Sequence, residues 1–129
     1  LREVARLGIS RDIDAPGASV PPAAPASATA SAAHCAEITR DERGYVICII
    51  STVFRDKTGA AFRIVECESR LSITAVSETG DYGLFQINAI HASKFPDFWD
   101  AWDDPRRNTE MAYFLSGGGD FSVAWECKP

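Results

Sequence analysis

Between Ala15 and His34 the chain carries nine Ala, four Pro and three Ser in twenty residues, with Val20 as the single large apolar side chain. Such a tract cannot bury enough surface to offset the roughly 1 to 2 kcal/mol per residue that ordering a backbone costs. It reads as a linker with extended, polyproline-like stretches, and so it limits where folding can occur. Residues 1–14 are left as a short stub in which Leu1, Val4 and Ala5 fall at helical spacing, too brief a helix to be stable alone. Residues 35–129, 95 of the 129, remain to build a core. All four cysteines lie there, which suits a small domain that gains from covalent staples and points to an oxidising compartment.

Charge separates the same parts. Acids and bases balance within residues 1–34, and the remainder carries the whole net charge of −5. An acidic chain without a Lys/Arg-rich run lacks the basic face that phosphate contacts need, which argues against a nucleic-acid binder. The longest apolar stretch, Tyr45 to Ile50, is far short of the roughly 18 residues needed to span a bilayer. The sequence opens without Met and without an apolar signal core, so it reads as a processed product or a piece of something longer.

The pattern beyond residue 35 predicts a mainly α (α+β) domain with a minor β-hairpin. Arg43 to Arg55 is apolar nearly all round, as a buried helix is. Thr58 offers an N-cap for a second helix from Gly59 to about Arg70. The alternation of Tyr82, Leu84 and Ile87 suggests a small hairpin, and Asn88 to Phe95 a short helix. Asp104-Pro105 is a cap followed by a first-turn proline; Met111, Ala112 and Leu115 form the stripe of a helix stopped by Gly117-Gly118-Gly119.

The second helix holds a violation of its own pattern. With Ala61, Ile64 and Val65 as its apolar face, the next position on that face is Glu68, whereas Glu66 has Arg63 and Arg70 at three- and four-residue offsets. A carboxyl group on an apolar face is partly desolvated, which suits it to carry a proton for delivery near neutral pH. The plainer alternative is a frayed helix end with Glu68 in solvent.

The run Cys67-Glu68-Ser69, then Ala75-Val76-Ser77, then Gly80-Asp81-Tyr82-Gly83-Leu84-Phe85-Gln86-Ile87-Asn88 resembles the lysozyme-like superfamily. The C-E-S, A-V-S and G-L-F-Q elements are similar to lytic transglycosylases and resuscitation-promoting factors, and D-Y-G-L-F-Q-I-N to c-type lysozymes. Asp104-Pro105-Arg106-Arg107-Asn108 and the stretch from Ser116 to Cys127 are similar to small phage and actinobacterial members, so the resemblance covers about residues 43–129.

Carried over residue by residue, the resemblance puts the family's catalytic glutamate on Glu68 and the second carboxylate of the c-type enzymes on Asp81. It implies a general acid and a charge or nucleophile beneath the developing oxocarbenium ion, a division of labour for which lysozyme is the standard worked example. The alternative for Asp81 is turn chemistry, since T-G-D-Y-G turns well. Tyr82, Gln86 and Asn88 would face sugar or Asp81, with hairpin stabilisation as the alternative. Trp99 and Trp102 would be flat platforms for sugar rings or, equally, packing groups, and Trp125 core. The family pattern also implies a disulfide between Cys67 and Cys127. Cys35 and Cys48 are left, and pairing them would tie the linker's end to the first helix. The acids Asp97, Asp103 and Asp104 lack the spacing of a calcium loop, and neither His34 nor His91 has zinc-ligand neighbours, so no metal or other cofactor is expected.

Two function classes follow. One is a peptidoglycan glycosidase acting on glycan strands at the MurNAc-GlcNAc β-1,4 bond, as a hydrolysing muramidase or, alternatively, a lytic transglycosylase. The other is a non-catalytic cell-wall-binding or structural virion module. Both carboxylates and Gln86 favour the enzyme, and D-Y-G-L-F-Q-I-N tips the balance narrowly to hydrolysis. The site of action is extracytoplasmic. Bacterial walls are anionic and give a chain of charge −5 no steering, which favours a phage-tail lysin, joined to other virion proteins through residues 1–34, over a freely secreted enzyme.

Overall fold

The computed structural model describes residues 34–37 and 41–129. The expected stub and all of the linker except His34 lie outside the described residues. What is described is mainly helical with one two-stranded antiparallel sheet, as the pattern predicts.

Helix α1 (Glu42–Phe54) begins where the Asp41 carboxylate accepts the N–H of Gly44 at 2.7 Å, and it buries Val46, Ile49, Ile50 and Phe54. It packs against both α2 (Thr58–Glu68) and α4 (Pro105–Leu115). Around Phe54 the core is aromatic: its ring lies 5.6 Å from Phe85, 5.3 Å from Tyr113 and 5.6 Å from Phe121. Thr58 does not cap α2. It is the helix's first residue, and its hydroxyl donates back to the carbonyl of Arg55 in the 3-10 turn Arg55–Lys57, so one turn runs directly into the next without an extended capping residue. The buried face of α2 is Ala61, Ile64 and Val65, as expected. The helix stops at Glu68 instead of Arg70, because Arg70 and Leu71 both take left-handed φ, 54° and 65°. Glu66 is exposed and faces Arg43 of α1 at 3.7 Å, not Arg63 or Arg70, a surface pair of little energetic weight.

The hairpin pairs β1 (Asp81–Tyr82) with β2 (Ile87–Asn88), Asp81 opposite Asn88 and Tyr82 opposite Ile87. The stretch expected as a short helix after it is a 3-10 helix, Ala89–Lys94, capped by Asn88 accepting from the N–H of Ile90. A one-turn helix, α3 (Phe98–Ala101), follows. Helix α4 starts as expected, with the Asp104 carboxylate taking the N–H groups of Arg106 and Arg107 and Pro105 in the first turn, and its last turn unwinds into Gly117, Gly118 and Gly119, all at positive φ.

Two side chains of α4 hold the rest together. Asn108 is fully buried: its Oδ1 accepts from the N–H of Phe85 at 2.8 Å, and its Nδ2 donates to the carbonyls of Tyr82 and Trp102, each at 3.0 Å. The hairpin turn is thereby hydrogen-bonded to the helix behind it. Arg107, also buried, forks onto Asp97 at 2.8 and 3.1 Å and reaches Glu110 at 3.2 Å, while Arg106 bonds the other Glu110 oxygen and the hydroxyl of Thr52 in α1. Buried charges persist only when paired in this way.

Candidate active site

Glu68 is the last residue of α2 and half-buried. Negative charge is disfavoured in the last turn by the helix dipole, and no basic residue of that turn offsets it. What does meet the carboxylate is the backbone N–H of Cys127, 3.1 Å from Oε2, and Cys67, the residue just before Glu68, is disulfide-bonded to the same Cys127. Ser69 anchors the other side, its hydroxyl donating to the carbonyl of Val65 at 3.2 Å. Two consecutive non-glycine residues in the left-handed region cost about 1 kcal/mol or more each, and strain of this kind collects at working sites.

Asp81 is held by three side chains. Ser77 and Thr79 hydroxyls donate to Oδ2, both at 2.6 Å, and Asn88 donates to Oδ1 at 2.8 Å. Burial alone would push this carboxyl up, but the bonds from Ser77, Thr79 and Asn88 together prevail and hold it below the usual carboxylate range. It is a fixed anion at neutral pH. Asn88 therefore faces Asp81. Gln86, at φ 51°, does not: its amide nitrogen donates to the carbonyls of Ala75 at 3.1 Å and Gly83 at 3.0 Å, which closes the hairpin turn. Among the described residues no hydrogen bond joins Glu68 to Asp81; each is positioned by its own partners.

Tyr82, Trp99 and Trp102 come together. The Tyr82 ring lies edge-on to Trp99 at 5.3 Å and to Trp102 at 5.2 Å, with Phe98 packed beneath, 5.9 Å from Tyr82 and 4.8 Å from Trp99. All three rings are partly exposed, which gives the hairpin an aromatic flank suited to apolar sugar faces. Trp125 is core, with its indole N–H on the carbonyl of Phe85 at 2.8 Å. Both disulfides, Cys67–Cys127 and Cys35–Cys48, are present. Asp97 is taken up by Arg107 and Asp104 by its capping role, and no cluster suited to a metal ion occurs among the described residues. An open depression at Lys57, Gly117, Gly118, Gly119 and Asp120 contains none of the expected site residues.

A family model described as the transglycosylase SLT domain matches residues 51–115, half of the chain, from the last turn of α1 to the end of α4. The chain belongs to the SLT domain family. Its members are lytic transglycosylases, lysozyme-like glycosidases, so this SLT domain is an enzyme of the cell wall with peptidoglycan as its substrate class. The matched span holds Glu68, the hairpin and the aromatic flank, while Cys35, Cys48 and Cys127 lie outside it. No curated protein and no solved structure matches the chain. No helix among the described residues is long and apolar enough to cross a membrane.

Sequence reasoning missed the Cys127 N–H, the Ser77 hydroxyl and Asn108. A backbone donor leaves no trace in a residue pattern. Ser77, four residues before Asp81, is local turn chemistry that the sequence could have shown; Asn108 carries no signal beyond the motif that contains it.

Proposed function

We propose that this SLT domain cleaves the MurNAc-GlcNAc β-1,4 bond with Glu68 as its single acid and base. Glu68 gives its proton to the GlcNAc oxygen as the glycosidic C–O bond breaks. The 6-hydroxyl of the same MurNAc then attacks the anomeric carbon and returns a proton to Glu68, closing a 1,6-anhydro ring. The observation behind this reading is the state of Asp81. Ser77 and Thr79 hold one oxygen of Asp81 and Asn88 the other, and the matched family is one of lytic transglycosylases, so the narrow preference of the sequence for hydrolysis gives way to transglycosylation. Tyr82, Trp99 and Trp102 supply the flank against which the glycan lies, and Asn88 and Gln86 act through the hairpin they stabilise.

Hydrolysis stays as a second reading because Asp81 is ionised and held rigidly, as a group that steadies an oxocarbenium ion without attacking it would be. Mass spectra of digested sacculi separate the two. Transglycosylation gives anhydro ends, lighter by one water than hydrolysis products, with Asp81→Asn mild; a dominant reducing product with Asp81→Asn costing about a hundredfold would establish the hydrolase. Sacculi left intact by the folded protein would point to the wall-binding or structural module.

Net charge also supports delivery by a carrier, a phage tail being the fitting case, with residues 1–34 as the attachment. Repulsion from an anionic wall would be screened by salt, so cleavage by the free protein should rise from low ionic strength to about 0.15 M. A fall over that range would argue for free diffusion to the wall instead.

A further inference from the structure

We infer that the backbone N–H of Cys127, fixed in place by the Cys67–Cys127 disulfide, is the positioning group for the Glu68 carboxylate. This rests on the reading of Glu68 as the acid. The donor and the acid are 59 residues apart, and the disulfide joins the residue that carries the donor to the residue next to the acid. The segment bearing the donor is anchored on its own account. Phe121 and Trp125 are buried and 5.0 Å apart, and the Lys128 amine donates to the carbonyls of Ser122 at 2.9 Å and Trp125 at 2.6 Å. The direction of the Cys127 N–H is thus set by covalent bond, core and hydrogen bonds together.

The chemistry gives that donor its value. While Glu68 holds its proton, an amide N–H adds little to it. As the proton passes to the glycosidic oxygen, negative charge grows on the carboxylate, and a bond to a charged acceptor is about twice as strong as one to a neutral acceptor. The Cys127 N–H therefore favours the transition state over the ground state, and with Oε2 engaged, Oε1 is the oxygen left for the substrate. Its effect belongs in kcat.

The test replaces the N–H by an ester oxygen, which removes the donor and leaves the side chain in place. Semisynthesis replaces the amide at residue 127 by an ester through the α-hydroxy analogue of cysteine, which retains the side chain and the disulfide. Activity is measured on soluble, uncrosslinked peptidoglycan strands, beside Cys67→Ser/Cys127→Ser and, as a control for loss of a staple, Cys35→Ser/Cys48→Ser. The ester should lower kcat about tenfold with KM within about twofold of the parent. The Cys67/Cys127 variant should lose at least as much, and the Cys35/Cys48 variant, assayed well below its melting temperature, should match the parent. An ester with the parent's kcat, or a loss residing in KM alone, would overturn the inference; if the Cys67/Cys127 variant does not fold, the ester decides. Strands left intact by the folded parent would remove both Glu68 as the acid and its positioning group, whereas an active parent with an indifferent ester removes only the latter.

Discussion

A glutamate in the last turn of a helix, beside two strained residues, is a poor choice for stability, and its carboxylate is held by a single backbone N–H. Glu68→Gln keeps the shape and can still accept from Cys127, so its melting temperature should stay close to the parent's while glycan cleavage falls by at least about a hundredfold on a zymogram. A variant that clears the gel like the parent would remove Glu68 from the chemistry. Asp81 makes a different prediction, through pH. Its folded carboxyl titrates below the ordinary 3.8, so the stability it contributes is complete above that value and is lost as pH falls through the depressed folded one. The melting temperatures of the parent and Asp81→Asn should therefore be well separated near neutral pH and converge in strong acid. A separation that does not change with pH would mean that Ser77, Thr79 and Asn88 do not hold the anion.

At the scale of elements, the hairpin depends on what lies behind it. A methyl group at Gly83 would sit 2.4 Å from Nδ2 of Asn108 and 2.5 Å from the carbonyl of Trp102, on a backbone with φ of 78°. Gly83→Ala should cost on the order of 3 kcal/mol by chemical denaturation, from collision and strain together, and should depress activity through the displaced hairpin. A near-neutral result would show that Asn108 can move aside. The contrast with Asp104-Pro105 explains what was legible in the sequence. That cap, the apolar run of α1, the glycine stop after α4 and the Tyr82-Leu84-Ile87 alternation are local signals, complete within a few residues, and each predicted its element. Thr58 misled because a hydroxyl before an apolar face caps only if its own backbone is extended, and here Thr58 is already helical, entered directly from a 3-10 turn. Asn108 reaches hairpin partners 23 and 26 residues away and Cys127 an acid 59 residues away, and no periodicity encodes such pairings.

The whole domain is held by two kinds of long-range tie. Arg107 and Glu110 are buried and Asp97 and Arg106 partly so, and removing the Glu110 carboxylate takes a charged partner from both arginines; Glu110→Ala should cost about 3 kcal/mol in thermal unfolding. A cost near zero would mean that water reaches the two arginines. The Cys67–Cys127 bond closes a loop of 60 residues, contributing about 4 kcal/mol in the chain-entropy account. The same bond decides how the molecule meets mechanical force. When the chain is pulled at its two ends, tension that reaches Cys67 crosses to Cys127 through the sulfur atoms. The hairpin, the aromatic flank and α4 lie inside that bypass and carry none of the pull. The oxidised domain can thus be stretched at its two ends while the hairpin and its aromatic flank stay slack.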